Sequence, residues 1–292
     1  MRIRTLLLLA ALAILLIVPV FAGGRQEEAE PESAGSSDYS ESLEGTPDDP
    51  RLYEPGKLTV ATGEPVYPPW MMDDDPAGGE GFENGIVYAL AEELGFSRDD
   101  VVWVRVNFDE GIAPGAKPYD FNIQQFSVTE ARREFVDFSI VYYQPQKAVV
   151  ALPDTGLSDA RSFADLREAS WGATIGTTDL DYIETRIGAE DVAVYDDQVG
   201  TFQALMGGQI DATVISLPTA LFATAVQIPD AVIAAVLPPD PNDQGHGLVF
   251  EKGNPIVPWI NEGLQAIIAD GVIDDLTQQY LVGSDAIPEI TE

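Results

Sequence analysis

From Gly56 onward the chain alternates short β-branched runs with amphipathic stretches, and that alternation limits it to an α/β architecture. The pattern predicts strands at Leu58–Ala61, Val101–Val106, Ala148–Leu152, Ala173–Ile175, Val192–Tyr195, Ala212–Ile215 and Val232–Val236. Between them, residues 84–94 place Ile86, Val87, Leu90, Ala91 and Leu94 on one helical face, with Gly95 just past the end. Residues 179–187 place Leu180, Ile183 and Ile187 together, with Thr178 as N-cap and Gly188 as stop. Residues 255–270 carry Ile256, Trp259, Ile260, Leu264, Ile267 and Ile268 before Gly271. Such an order implies mainly parallel sheets, whose ligands bind beyond the carboxyl ends of strands. Functional residues are therefore expected in the strand-to-helix loops.

Composition removes several classes of chemistry. The 292 residues hold 15 Lys+Arg against 49 Asp+Glu, a net charge of −34, so nucleic acid is not an expected partner. No cysteine is present, which excludes disulfides, thiolate catalysis and cysteine metal sites. A single histidine, His246, excludes multi-histidine metal sites. No metal and no cofactor is expected. At the N-terminus, Arg2 and Arg4 precede an apolar run from Leu6 to Val18, and Val20 and Ala22 stand before Gly23-Gly24. Residues 1–22 thus read as a cleaved secretory signal, short for a membrane span. Without cysteine it is not a lipoprotein signal, and the expected location is periplasmic or otherwise extracytoplasmic. Residues 23–55 are acidic and rich in Gly, Ser and Pro, and read as a disordered tether.

Three loops carry candidate chemistry. After the first strand, TGEPVYPPWMMDDD sets Tyr67 and Trp70 around two prolines that fix the directions of the rings. The rings either cap a core or form a platform for a small ligand. In DFNIQQFSVTEARREFVDFSIVYY, residues 120–143, Thr129 can cap a short helix with Arg132 in its first turn. A cation there opposes the helix dipole. Either a bound anion or an ion pair with Glu134 or Asp137 accounts for it. In IGTTDLDYIE, residues 175–184, a glycine and two hydroxyls open a helix, which suits an anion or plain N-capping.

In order along the chain, KLTVATGEPVYPPW, GIVYALAEELGF, SVTEARREFVDFSIVYY, WGATIGTTDLDYI, GGQIDATVISLPTA and HGLVFEKGNPIVPWINEGLQAIIADGVIDDL resemble the extracytoplasmic solute-binding proteins of ABC importers. The resemblance is to the amino-acid-binding type and runs from about Lys57 to Leu281. It implies a two-lobed α/β fold of the periplasmic-binding-protein type II, with two hinge strands. Lobe 1 is expected at 56–144 plus 248–283 and lobe 2 at 147–243, with hinges near Tyr143–Lys147 and Asp243–Leu248. It also implies a monomer that closes on a small carboxylate ligand and delivers it to a membrane permease. By resemblance Arg132 clamps the ligand carboxylate, Tyr67 stacks on the ligand, and Ser127 and Thr178 add hydrogen bonds. Gln125 and Thr177 fall on positions that often face the ligand.

One position departs from the family. Where relatives usually carry an Asp for the ligand's α-ammonium, this chain has Ser216. A hydroxyl cannot balance a buried ammonium. Either Asp179 or Asp109 substitutes, or the ligand has no ammonium. Two rivals share the fold: a ligand-sensing ectodomain kept on an uncleaved anchor, and a dehydratase, which needs a general acid in the cleft. No enzymatic activity is expected. The acidity suits a saline habitat, where self-repulsion is screened.

Overall fold

A computed structural model describes residues 45–281 and 287–290. In chain order its first part comprises β1 (Leu58–Thr62), α1 (Phe82–Glu93), β2 (Val101–Arg105), α2 (Phe108–Ile112), β3 (Phe121–Asn122), α3 (Glu130–Arg133) and β4 (Val136–Tyr143). Next come β5 (Lys147–Ala151), α4 (Phe163–Leu166), β6 (Gly172–Thr174), α5 (Thr178–Tyr182), β7 (Ala193–Tyr195), α6 (Gln198–Met206), β8 (Ala212–Ser216), α7 (Leu217–Phe222) and β9 (Val232–Val236). The last part is β10 (His246–Glu251), α8 (Val257–Ala269) and α9 (Val272–Tyr280).

These elements build two α/β lobes. The first contains a five-stranded sheet in the order β2-β1-β3-β10-β4. The second contains β8-β5-β9 and the pair β6-β7, joined by a parallel bridge between Trp171 and Ala212. The chain passes from β4 to β5 through Gln144, Pro145 and Gln146, and returns from β9 to β10 through residues 237–245. The two passages touch. Gly245 has φ 103, and a Cβ there would lie 2.8 Å from the Tyr143 carbonyl oxygen and from Val141 Cγ1, so only glycine fits.

The sheets are mixed rather than mainly parallel. β1 runs parallel to β2 and β3, whereas β10 is antiparallel to β3 and β4, and β5 is antiparallel to β8 and β9. The strands that pass between lobes run back against their neighbours, which the helix–strand alternation does not reveal. Two of these strands, β4 and β10, escape the periodicity reading. Their pairing carries register shifts around Gly247, and β4 buries residues without strict alternation.

Part of the expected tether is folded. Residues 45–55 pack on the first lobe: Leu52 is buried in its core, and the Tyr53 amide donates to Asp120 Oδ1 at 2.7 Å. One apolar side chain and a run of turns suffice to dock an otherwise acidic stretch. The signal and the rest of the tether, residues 1–44, lie outside the described residues. At the other end, Ile290 is buried in the second lobe and Glu289 bridges Val236 of β9. No described helix is long and apolar enough to cross a membrane.

Candidate functional site

Between the lobes lies a cavity of about 460 Å³. All ten sequence-derived candidates line it: Tyr67, Trp70, Asp109, Gln125, Ser127 and Arg132 from the first lobe, and Thr177, Thr178, Asp179 and Ser216 from the second. The first-lobe residues follow β1, β2 and β3, where an α/β sheet presents ligands: Tyr67, Trp70, Gln125 and Ser127 on loops, Asp109 in α2 and Arg132 in α3.

Trp70 serves both roles open to it. Its ring is fully buried in the first lobe's core, while its indole N–H donates across the cleft to Thr219 Oγ1 at 2.8 Å. Tyr67 also reaches the second lobe. Burial, reinforced by Asp197, pushes its hydroxyl up to about 12, against the pull of the Gln198 and Val199 amides at the start of α6. Gln125 adopts φ 52, a left-handed conformation uncommon outside glycine. Its amide is held by Glu83 Oε1 at 2.9 Å, and its side chain donates to Glu83 Oε2. Glu83 also accepts from the Tyr142 hydroxyl at 2.5 Å. Burial pushes the Glu83 carboxyl up to about 7, and these three donors pull the other way.

Arg132 turns into the cleft. Thr129 caps α3 by accepting from the Arg132 amide at 3.2 Å, as its spacing implied. The guanidinium donates to the Ser127 carbonyl at 2.7 Å and, across the cleft, to the Gly176 carbonyl at 2.9 Å. The alternative pair with Asp137 does not form, because Asp137 binds Lys252 at 2.8 Å. Burial lowers the pKa of Arg132, with Asp243, Asp181 and Asp179 opposing. A guanidinium has five N–H groups, so three remain for a bound anion.

In the second lobe Thr177, not Thr178, caps α5, accepting from the Leu180 amide at 3.2 Å. Thr178 is thereby free to face inward, where its hydroxyl lies 3.2 Å from Asp243 Oδ2 and 3.1 Å from Ser127 Oγ. Ser127 Oγ donates to Asp243 Oδ2 at 2.7 Å. Asp179 pairs with Lys147 at 2.5 Å, and Asp109 is exposed at the cavity rim. Ser216 Oγ meets Thr219 Oγ1 at 2.7 Å.

Lys147 and Asp243 were placed by the sequence in hinges, not in the site. Lys147 Nζ lies 2.9 Å from Thr178 Oγ1 and 3.4 Å from Asp243 Oδ2. Burial would lower the Lys147 pKa, but Asp179 and Asp243 outweigh it and raise it. Burial would likewise raise Asp243, but Lys147, Ser127 and the Gly245 amide hold it below the usual carboxylate range. The available signal was scarcity: with 15 cations against 49 acids, a lysine at a lobe crossing is conspicuous. His246, beneath Trp70 with ring centroids 5.2 Å apart, is pulled to about 3 by burial, which outweighs Asp243, with Lys147 and Arg132 adding to the pull.

Residues 58–283 match the model of the bacterial extracellular solute-binding proteins, family 3. The chain belongs to this family. Among curated relatives, the L-cystine-binding protein TcyJ of Escherichia coli (strain K12) is 27% identical over 79% of this chain and 84% of that protein. The ABC transporter arginine-binding protein 1 of Escherichia coli (strain K12) is 28% identical over 74% of this chain and 87% of its own. Among solved structures, an ancestral arginine-binding protein bound to arginine superposes with a TM-score of 0.65 at 25% identity, over 78% of this chain and 99% of that one. In the cleft of this family 3 solute-binding protein, Ser216 stands beside a buried lysine, and both acids near that lysine are engaged by it.

Proposed function

We propose that this chain captures a small carboxylate-bearing solute between two closing lobes outside the cytoplasm and delivers it, chemically unchanged, to the membrane permease of an ABC importer. The observation that carries the reading is Arg132, whose guanidinium reaches carbonyls of both lobes at 2.7 and 2.9 Å and keeps N–H groups for a carboxylate. Such a pair strengthens in a cleft that excludes water. Tyr67 and Trp70 already reach across, so a ligand seated against Arg132 gains contacts from both sides only when the lobes meet. The moving bodies are 56–144 plus 248–283 and 147–243, the exported form begins after residue 22, and the protein acts as a monomer.

A thermal-shift screen of amino acids, 2-oxo acids and dicarboxylates, followed by calorimetry on the hits, tests the capture reading. Small-angle scattering with saturating ligand should show a smaller radius of gyration than without it. Identical dimensions would rule out closure.

A further inference from the structure

Lys147 opens β5 directly opposite Ser216 of β8 in an antiparallel pair. Residues so paired project to the same face with Cβ atoms about 5 Å apart, and both line the cavity. The lysine ammonium therefore sits beside the position where relatives were expected to hold an aspartate for the ligand's ammonium. It is well held there. Thr178 Oγ1 at 2.9 Å, Asp179 Oδ1 at 2.5 Å and Asp243 Oδ2 at 3.4 Å surround Nζ, and the side chain is only 10% exposed. An ammonium has three N–H donors, and three oxygens face this one.

The neighbouring hydroxyls are committed to the same arrangement. Ser127 spends its single proton on Asp243, and Thr178 accepts from Lys147 while lying in reach of Asp243. The two carboxylates beside Lys147, Asp179 and Asp243, and the Thr178 hydroxyl are already engaged by it. The other carboxylates lining the cavity, Glu64, Asp109, Asp196 and Asp197, are all exposed. A second ammonium here would meet a like charge a few ångströms away, with no carboxylate of its own. An anion would meet no such obstacle, since Arg132 retains donors.

We propose that Lys147 is a specificity-determining residue whose ammonium fills the cation subsite of the cleft, so that the ligand is a carboxylate without an α-ammonium: a 2-oxo acid, a 2-hydroxy acid or a dicarboxylate. This rests on the reading of Arg132 as the carboxylate clamp. The subsite is a tethered counterpart of what an amino-acid ligand brings with it.

The first test uses the wild-type protein and matched pairs by calorimetry: L-glutamate against 2-oxoglutarate, and L-leucine against its 2-oxo acid. The 2-oxo acid is expected to bind at least tenfold more tightly in any pair that binds. Equal or tighter binding of the amino acid overturns the proposal. The second test empties the subsite with Lys147→Ala and offers ethylammonium as the probe, read as a shift in melting temperature. Ethylammonium should stabilise the variant and leave the wild type unmoved, while sodium at equal concentration does neither. Equal responses of the two proteins overturn the proposal. Lys147→Met, which keeps the stem, carries the same test if Lys147→Ala does not fold, and the wild-type pairs need no variant. Arg132→Ala separates the two claims: unchanged 2-oxo acid binding in that variant defeats the clamp reading, whereas the ethylammonium result does not depend on Arg132.

Discussion

Beneath its cleft loops the first lobe buries Glu83, three hydrogen bonds and two cores rich in large rings, with Trp70, Phe82, Phe121, Phe250 and Trp259 in one and Phe126 and Phe138 in the other. The second lobe splits its core over the two faces of β5, and much of that core is alanine: Ala148, Ala151, Ala173, Ala212, Ala234 and Ala235. Rings bury more area each than alanine does, so the first lobe fixes its cleft loops by packing from below. In the second lobe Thr178 and Asp179 stand in the first turn of a five-residue helix and depend on a cap and a salt bridge. The difference separates a preformed wall from one assembled by polar contacts. It predicts that substitutions beneath the first wall alter stability, while those in the second alter the cleft's electrostatics.

The largest effect is expected where the two walls join. Arg132→Ala removes a buried cation and its reach to Gly176, and should weaken carboxylate binding by about 3–5 kcal/mol, two to four decades in Kd. Unfolding midpoints should change far less, because the guanidinium lies in the cleft and its ring contact is with Phe108, 5.5 Å away. Near wild-type affinity in calorimetry would sink the role given to Arg132.

Next in size is the support under the first wall. Glu83→Gln leaves donors of Gln125 and Tyr142 poorly matched, at a cost of about 1–3 kcal/mol to stability near pH 5. The sign changes with pH in a defined way. Burial raises the folded-state pKa of Glu83 from 4.5 to about 7, so the folded protein holds this proton more tightly than the unfolded chain does. Its contribution is then fully present below about pH 4.5 and is lost as pH rises through 7. The deficit of the Gln variant should therefore shrink between pH 5 and 8. Urea midpoints at both values check it, and the subtraction cancels Asp120, whose carboxyl burial also raises, to about 6, against the Tyr53 and Thr59 amides. A deficit that grows with pH would refute the assignment.

The same contrast explains what could be read in advance. Strands and helices with clean periodicity were legible: β1, β2, β8 and α8 lie within a residue or two of where the pattern puts them. Residues on ordered motifs were also legible, and all ten candidates meet around one cavity. What escaped depends on contacts between segments distant in sequence. β4 and β10 pair antiparallel across a gap of about a hundred residues, which no local pattern encodes. Glu83 lies on α1, 42 residues from the Gln125 it holds. Lys147 acquires its meaning only beside Ser216, Asp179 and Asp243. Thr178 was read as the cap of the helix over 179–187, yet Thr177 has the extended backbone, φ −87 and ψ 153, that a cap needs.

The smallest expected effects sharpen the comparison most, because each wall has one threonine cap. Thr129 accepts from the Arg132 amide at 3.2 Å, and Thr177 accepts from the Leu180 amide at the same distance. Replacing either with alanine should cost about 1 kcal/mol of stability, since each leaves one amide at a helix start without its acceptor. Their effects on binding should differ. The Thr129 cap fixes the residue that meets the ligand's carboxylate, but that residue's guanidinium is also anchored by the Ser127 and Gly176 carbonyls. Thr129→Ala should therefore alter Kd by less than threefold. The Thr177 cap fixes the turn that carries Thr178 and Asp179, and Thr177 Oγ1 also donates to the Thr174 carbonyl at 2.8 Å. Thr177→Ala should release Asp179 from Lys147 part of the time and weaken the discrimination against α-amino acids more than it weakens carboxylate binding. Calorimetry of both variants with 2-oxoglutarate and L-glutamate measures the two ratios. Equal shifts in the two variants would mean that the second wall is as preformed as the first.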